Sequence, residues 1–159
     1  MSYSVSEIIG KGLRTRIEGF VEDAKHIMEE SMMCFFSGEA GLGKSMSAEI
    51  IKDAVTTEGC CCDELIGGQL DSSKVRSLIE DMHYKSMFGG RVLWVDEADS
   101  ITKGAQVDVL KLLDMAMKRP GWAFLFTTNQ PFSYFDVRFP DRCSKISFVM
   151  PTHKELEEG

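Results

Sequence analysis

Apolar positions along this chain follow two rhythms. The first is helical. Leu13, Ile17, Phe20, Val21, Ala24, Ile27 and Met28 recur every three or four residues with charges between them, which predicts a helix from Leu13 to Met28. The same spacing returns in Met46, Ile50, Ile51, Ala54 and Val55, in Val75, Leu78, Ile79 and Met82, and in Val109, Leu110, Leu112, Leu113, Ala116 and Met117. The second rhythm is the continuous apolar run of strand length. Met32-Met33-Cys34-Phe35-Phe36, Val92-Leu93-Trp94-Val95 after Arg91, and Trp122-Ala123-Phe124-Leu125-Phe126 are such runs. They read as strands buried on both faces, as in a parallel sheet. Residues 60–66 make a further short strand despite Asp63 and Glu64, and residues 145–149 a last one. Glu58-Gly59, Gly67-Gly68, Phe88-Gly89-Gly90 and Pro120-Gly121 interrupt the patterns, and residues 130–143 read as a loop rich in aromatics and proline. Ser72 or Ser73 and Ser100 or Thr102 stand where helix caps belong. The alternation of strands and helices predicts an α/β fold: a doubly wound parallel five-stranded sheet with flanking helices. In such sheets ligands sit beyond the C-terminal ends of the strands.

Composition narrows the field. The 159 residues suffice for one domain with a real core, and 43% hydrophobic with 27% charged residues is ordinary for a globular protein. No apolar run approaches the ~20 residues of a membrane helix, so no membrane is expected as a partner. The first residues lack the basic-then-apolar order of a secretory signal. Five cysteines, three of them consecutive at Cys60, Cys61 and Cys62, make a poor disulfide framework and lack zinc spacing. His26, His83 and His153 share no metal spacing, and the ten methionines read as core filler. A formal charge of −7 argues against bulk attraction to nucleic acid. Contact with it would come from local patches or partner subunits.

The chemistry gathers at strand tips. From Gly38 through Glu39, Ala40, Gly41, Leu42, Gly43 and Lys44 to Ser45 the chain reads Gly-x-x-x-x-Gly-Lys-Ser, between an apolar strand and an amphipathic helix. That is the P-loop pattern in the context it needs. Glycines let backbone N–H groups turn around a phosphate, and the helix N-terminus adds a positive dipole end. Lys44 would reach the β- and γ-phosphates of ATP, and the Ser45 hydroxyl would ligate Mg²⁺. Asp96, the first residue off an apolar strand, would hold Mg²⁺ directly or through water. Glu97 would orient and polarise the water that attacks the γ-phosphate. Asn129, at the end of the neighbouring strand, offers an amide to the γ-phosphate and the water. Arg142 follows Phe139-Pro140-Asp141 before the last strand and reads as an arginine given to a neighbouring subunit's γ-phosphate, a role worth ~10³–10⁵ in rate.

In this order, Gly38 to Ser45, Asp96-Glu97-Ala98-Asp99, Thr127-Thr128-Asn129 and Asp141-Arg142-Cys143 resemble the AAA+ ATPases, and among them the clamp-loader subunits of DNA replication. Ser6-Glu7-Ile8-Ile9-Gly10 is similar to the family's adenine-contacting segment, which implicates Ile8 and Ile9. Met87 to Arg91 and Gly104-Ala105-Gln106 also look like clamp-loader text. The resemblance implies an ATP-hydrolysing subunit, bound to other AAA+ subunits in a ring or spiral, that loads a sliding clamp on primer–template DNA. It implies a cytoplasmic or nuclear setting. It also points to DNA contacts at Ser72, Ser73, Lys74 and Arg76 and at Ser100, Thr102 and Lys103, although solvated helix caps would show the same residues. Asp141 replaces the family's usual serine, and Glu39 stands where proline is common and is expected to face solvent. Residues 1–150 read as the nucleotide-binding domain and 151–159 as the start of a linker to a missing lid. A helicase loader or another replication-initiation ATPase shares this core. A protein-remodelling motor fits less well, since Leu65 to Leu70 lacks the aromatic residue that grips peptide.

Overall fold

The computed structural model describes residue 8 and residues 10–56, 61–83 and 91–149. Its five strands pair only in parallel, in the order β2-β3-β4-β1-β5. They are β1 (Met32–Ser37), β2 (Cys61–Ile66), β3 (Arg91–Asp96), β4 (Trp122–Thr128) and β5 (Ser144–Ser147). The helices are α1 (Lys11–Lys25), α2 (Lys44–Thr56), α3 (Ser72–His83), α4 (Lys103–Met117) and the short α5 (Arg138–Asp141).

Position in the sheet explains composition. The inner strands β1 and β4 are buried at every residue, and their runs are apolar until β1 ends in Ser37 and β4 in two threonines. Edge strand β2 is largely exposed and carries Asp63 and Glu64, charges that discourage pairing with another chain. Successive side chains point to opposite faces, so β1 feeds two cores. Phe35 joins Leu93, Val95, Phe124, Phe126 and the apolar faces of α3 and α4. Cys34 and Phe36 join Val92, Leu125 and the faces of α1 and α2, including Ile17 and Ile51. Phe35 itself meets the rings of Phe126, Phe132, Phe135 and Phe139 at centroid separations of 5.6, 5.3, 4.9 and 5.1 Å.

Several boundaries differ from the sequence reading. α1 stops at Lys25 because the His26 N–H turns back to Asp23 O at 3.0 Å, tightening the last turn. Ile27 stays buried, and its carbonyl accepts the Gly121 N–H at 2.7 Å. Neither serine caps α3. Asp71 Oδ1 accepts the Lys74 N–H at 2.8 Å, and the Ser72 hydroxyl, turned to α4, donates to Asp108 at 2.5 Å. At α4, Thr102 is the cap, with its hydroxyl accepting from Ala105 N at 3.2 Å, while Ser100 lies in a 3₁₀ turn. The stretch read as loop contains a 3₁₀ turn at Phe132–Tyr134 and the helix α5. Pro140 is tolerated in α5 because it falls in the first turn, where no intrahelical N–H bond is lost. β5 ends at Ser147, yet the Phe148 N–H still donates to Ser37 O at 2.6 Å. Ile9, the proposed strand residue Cys60, the helix stop at residues 88–90 and the linker at 151–159 lie outside the described residues.

Candidate nucleotide site

Three strand ends and one helix start meet at the C-terminal edge of the sheet. β1 delivers residues 38–43, and α2 begins at Lys44. Gly43 has φ 93°, a left-handed conformation that a side chain would resist, and open space lies where its Cβ would be. At Gly43 the constraint is therefore backbone conformation, whereas at Gly38 it is also crowding, since a Cβ there would overlap Phe148 O. Glu39, Ala40, Gly41 and Ser45 are exposed, as expected for Glu39. Leu42 packs onto the α1/α2 core and anchors the loop.

Lys44 is only 7% exposed. Its ammonium donates to Gly38 O, to Glu39 O at 3.1 Å and to Asn129 Oδ1 at 2.6 Å. Burial pulls its pKa below the usual lysine value, and the negative charges of Asp96, Asp99 and Glu39 oppose that pull. The last contact joins the P-loop to the end of β4, so the sequence-predicted Lys44 and Asn129 are direct neighbours.

Asp96 ends β3. Its Oδ1 accepts the Glu97 N–H at 2.9 Å and the Thr127 hydroxyl at 2.7 Å. Its Oδ2 accepts no hydrogen bond from the described residues and is free to ligate. Glu97 is exposed and takes φ 50°, ψ 51°, a left-handed conformation unusual for a residue with a side chain. The backbone holds it there. Glu97 O accepts the Ser100 N–H at 2.9 Å and the Ser100 hydroxyl at 2.7 Å. Gly67 lies against the same carbonyl so closely that a Cβ on it would overlap the oxygen.

β3 and β4 are laced together at their tips. The Thr128 hydroxyl donates to Asp99 Oδ1 at 2.8 Å and accepts the Gln130 N–H at 3.1 Å, and Thr128 O accepts the Gly38 N–H at 3.1 Å. The sequence reading named these threonines as motif text and gave them no part in the site. The signal was present: two hydroxyls closing an otherwise apolar buried strand.

These groups surround a cavity of about 480 Å³, lined by Ala40, Gly41, Gly43, Lys44, Ser45, Met46, Asp96, Glu97, Thr128 and Asn129. A larger cavity of about 590 Å³ lies between α4 and the Phe132–Tyr134 turn and holds none of the P-loop residues. Ile8 is buried against the α1/α2 core, and its carbonyl accepts from Arg14 Nη1 at 3.2 Å. Arg142 is outside the lining of the P-loop cavity and is paired with Asp114 of its own chain.

The donor set suits Mg²⁺. Ser45 and Asp96 Oδ2 are hard oxygens, exposed and on one cavity wall. Among the described residues no group of three or more His, Cys, Asp and Glu side chains converges on a metal position. Few protein ligands suffice for an ion that keeps several waters and takes the rest of its shell from phosphates. The buried ammonium and the left-handed P-loop provide the matching anion side.

Comparison with known proteins decides the family. The model for the ATPase family associated with various cellular activities (AAA) matches residues 34–150. This chain belongs to the AAA family of ATPases. No curated protein sequence matches it. Among solved structures, the AAA domain is similar to a point variant of Thermotoga maritima RuvB, with TM-score 0.74 and 21% identity over 98% of this chain and 50% of that one. The T. maritima RuvB Holliday junction branch migration motor gives TM-score 0.71 at 21% identity, with the same coverage. The FIGL-1 AAA domain in complex with ADP gives TM-score 0.64 at 16% identity over 99% of this chain and 59% of that one. The chain spans about half the length of the RuvB structures, and at these identities the likeness concerns the fold. No helix among the described residues is long and apolar enough to cross a membrane.

Proposed function

We propose that this AAA domain binds ATP with Mg²⁺ and hydrolyses it at the interface between subunits of a clamp loader, driving the placement of a sliding clamp on primer–template DNA. The observation that carries the ATPase part is the convergence of the Lys44 ammonium, the Asp96 and Glu97 carboxylates and the Asn129 amide on one cavity. The clamp-loader part rests on Asp96-Glu97-Ala98-Asp99, Thr127-Thr128-Asn129 and Arg142-Cys143 in that order.

The P-loop N–H groups and Lys44 bind the phosphates. A unit charge 4 Å from an ammonium is attracted by about 4 kcal/mol at an effective dielectric near 20. Triphosphate entry exchanges carbonyl and amide partners of Lys44 for anionic ones, which repays the burial of the charge. Ser45 and Asp96 would hold Mg²⁺, which when bound neutralises charge on the β- and γ-phosphates. Thr127 and the Glu97 N–H fix Asp96 Oδ1, so Oδ2 faces the ligand position in one orientation. Glu97 accepts a hydrogen bond from water and aims its lone pair at the γ-phosphorus. Asn129 moves from Lys44 to the γ-phosphate and so reports which nucleotide is bound. Arg142 of a neighbouring subunit completes the site in trans.

The test has two arms. ATP turnover is measured with clamp and primer–template DNA, with four-way junction DNA, and with unfolded protein. Stimulation by clamp and primer–template together supports the loader. Stimulation by another of these alone would replace that assignment and leave the ATPase intact. Lys44→Ala should weaken ATP binding by up to about 10³-fold, the equivalent of that attraction, and unchanged affinity by calorimetry would remove the central assignment. Mixing Arg142→Ala with Lys44→Ala protein should restore activity at mixed interfaces, and no rescue in a verified mixed assembly refutes action in trans.

A further inference from the structure

Arg142 is held by two elements at once. It follows α5 and lies against α4. Its Nε and Nη2 donate to Asp114 Oδ1 and Oδ2 at 2.7 and 3.2 Å, and its Nη1 donates to Arg138 O at 2.8 Å. Asp114 lies in the last turn of α4, beside the buried Leu112, Leu113 and Ala116 that fix the helix against the sheet. The neighbouring Arg138 is satisfied separately. Its Nε and Nη2 take Asp136 Oδ1 and Oδ2 at 3.0 and 2.7 Å, so Asp114 is left to Arg142.

We propose that Asp114 is a positioning residue for Arg142, presetting the guanidinium for a phosphate of the adjoining subunit. The proposal rests on the reading that Arg142 acts in trans. A guanidinium has five N–H donors. The described residues take three, which leaves one on each terminal nitrogen, a pair spaced to fork two phosphate oxygens. The carboxylate thus grips the side edge through Nε and Nη2 and still spares a donor on both Nη atoms. The arginine side chain is 27% exposed and that of Asp114 48%, so the pair borders solvent and an incoming phosphate can reach it. A half-exposed ion pair is too weak to withhold the arginine from a multiply charged phosphate. It is strong enough to favour one rotamer of a side chain with four rotatable bonds. The Arg142 bond also draws the Asp114 pKa below the ordinary carboxylate value, so the pair persists further into acid than a free carboxylate would allow.

The test is a double-mutant cycle on the assembled protein. Asp114→Asn should lower kcat about 10- to 10²-fold, the upper figure being the cost of a misplacement of about 1 Å, with KM for ATP within twofold. Arg142→Ala should lose about 10³-fold, and the double variant should match Arg142→Ala alone. Asp114→Glu, which keeps the charge but moves it by a methylene, should fall between wild type and Asp114→Asn and provides a second readout if the amide variant folds poorly. An unchanged or raised kcat in Asp114→Asn, with Arg142→Ala still inactive, overturns this proposal and leaves the trans role standing. A further loss from Asp114→Asn in the Arg142→Ala background also overturns it, because the residue would then act on structure. Full activity in Arg142→Ala overturns the trans role and this proposal with it.

Discussion

Glu97 is the described non-glycine residue with positive φ, and that conformation can be weighed against its chemistry. A left-handed backbone costs an L-residue about 1–2 kcal/mol relative to glycine. Glycine in turn loses about 0.4–1 kcal/mol through the greater freedom of its unfolded chain. Comparing Glu97→Gly with Glu97→Ala isolates the difference, because both remove the carboxylate and both side chains are too small to pack. Glu97→Gly should be the more stable of the two by about 0.5–1 kcal/mol. For a chain of this size that is a rise in Tm of about 1–4 °C. Urea unfolding followed by circular dichroism reads the difference directly, provided the two slopes agree. Both variants should bind ATP and neither should turn it over. The strain persists in the wild type because Ser100 bonds the Glu97 carbonyl twice and Gly67 closes over it. An alanine variant equal to or more stable than the glycine variant would refute the argument that residue 97 is held in a strained turn to aim its carboxylate.

Gly67→Ala pushes a methyl group into Glu97 O and to 2.7 Å from Ser100 Oγ. It should cost about 1–3 kcal/mol and depress kcat without raising the KM for ATP, which steady-state kinetics and urea titration together would show. Phe35→Ala empties the centre of the ring cluster on the α3/α4 side and should cost about 3–5 kcal/mol, measured by the same titration, since Phe35 is fully buried among four other rings. Burial pushes the Cys143 thiol up to about 12 and raises the Cys34 thiol as well, whereas Cys61 and Cys62 are exposed. In folded protein at pH 8 a maleimide should therefore modify Cys61 and Cys62 first, and Cys34 and Cys143 only as the chain unfolds. Peptide mass mapping that found the reverse order would refute the burial of Cys34 in β1 and of Cys143 ahead of β5.

The sequence by itself determined what local rules control. Continuous apolar runs marked β1, β3 and β4, because a strand covered on both faces has no polar side to show. The spacing around Ile50 and Ile51 marked α2, and the glycine pattern with Lys44 marked an anion loop, because backbone conformation and side-chain type are fixed residue by residue. Only the tertiary structure decided how the strand tips are tied. Thr127 bonds Asp96 across 31 positions, Lys44 bonds Asn129 across 85, and Arg142 meets Asp114 across 28. Nothing in one stretch of chain encodes such a partner. It depends on sheet order, which places β4 between β3 and β1 although it follows both in sequence. The left-handed turn at Glu97 is likewise invisible in its own side chain, because Gly67 and Ser100 impose it. Cap choice at α3 went the same way: the bond to Asp108 on α4 holds the Ser72 side chain away from the helix start, and Asp71 accepts the Lys74 N–H in its place.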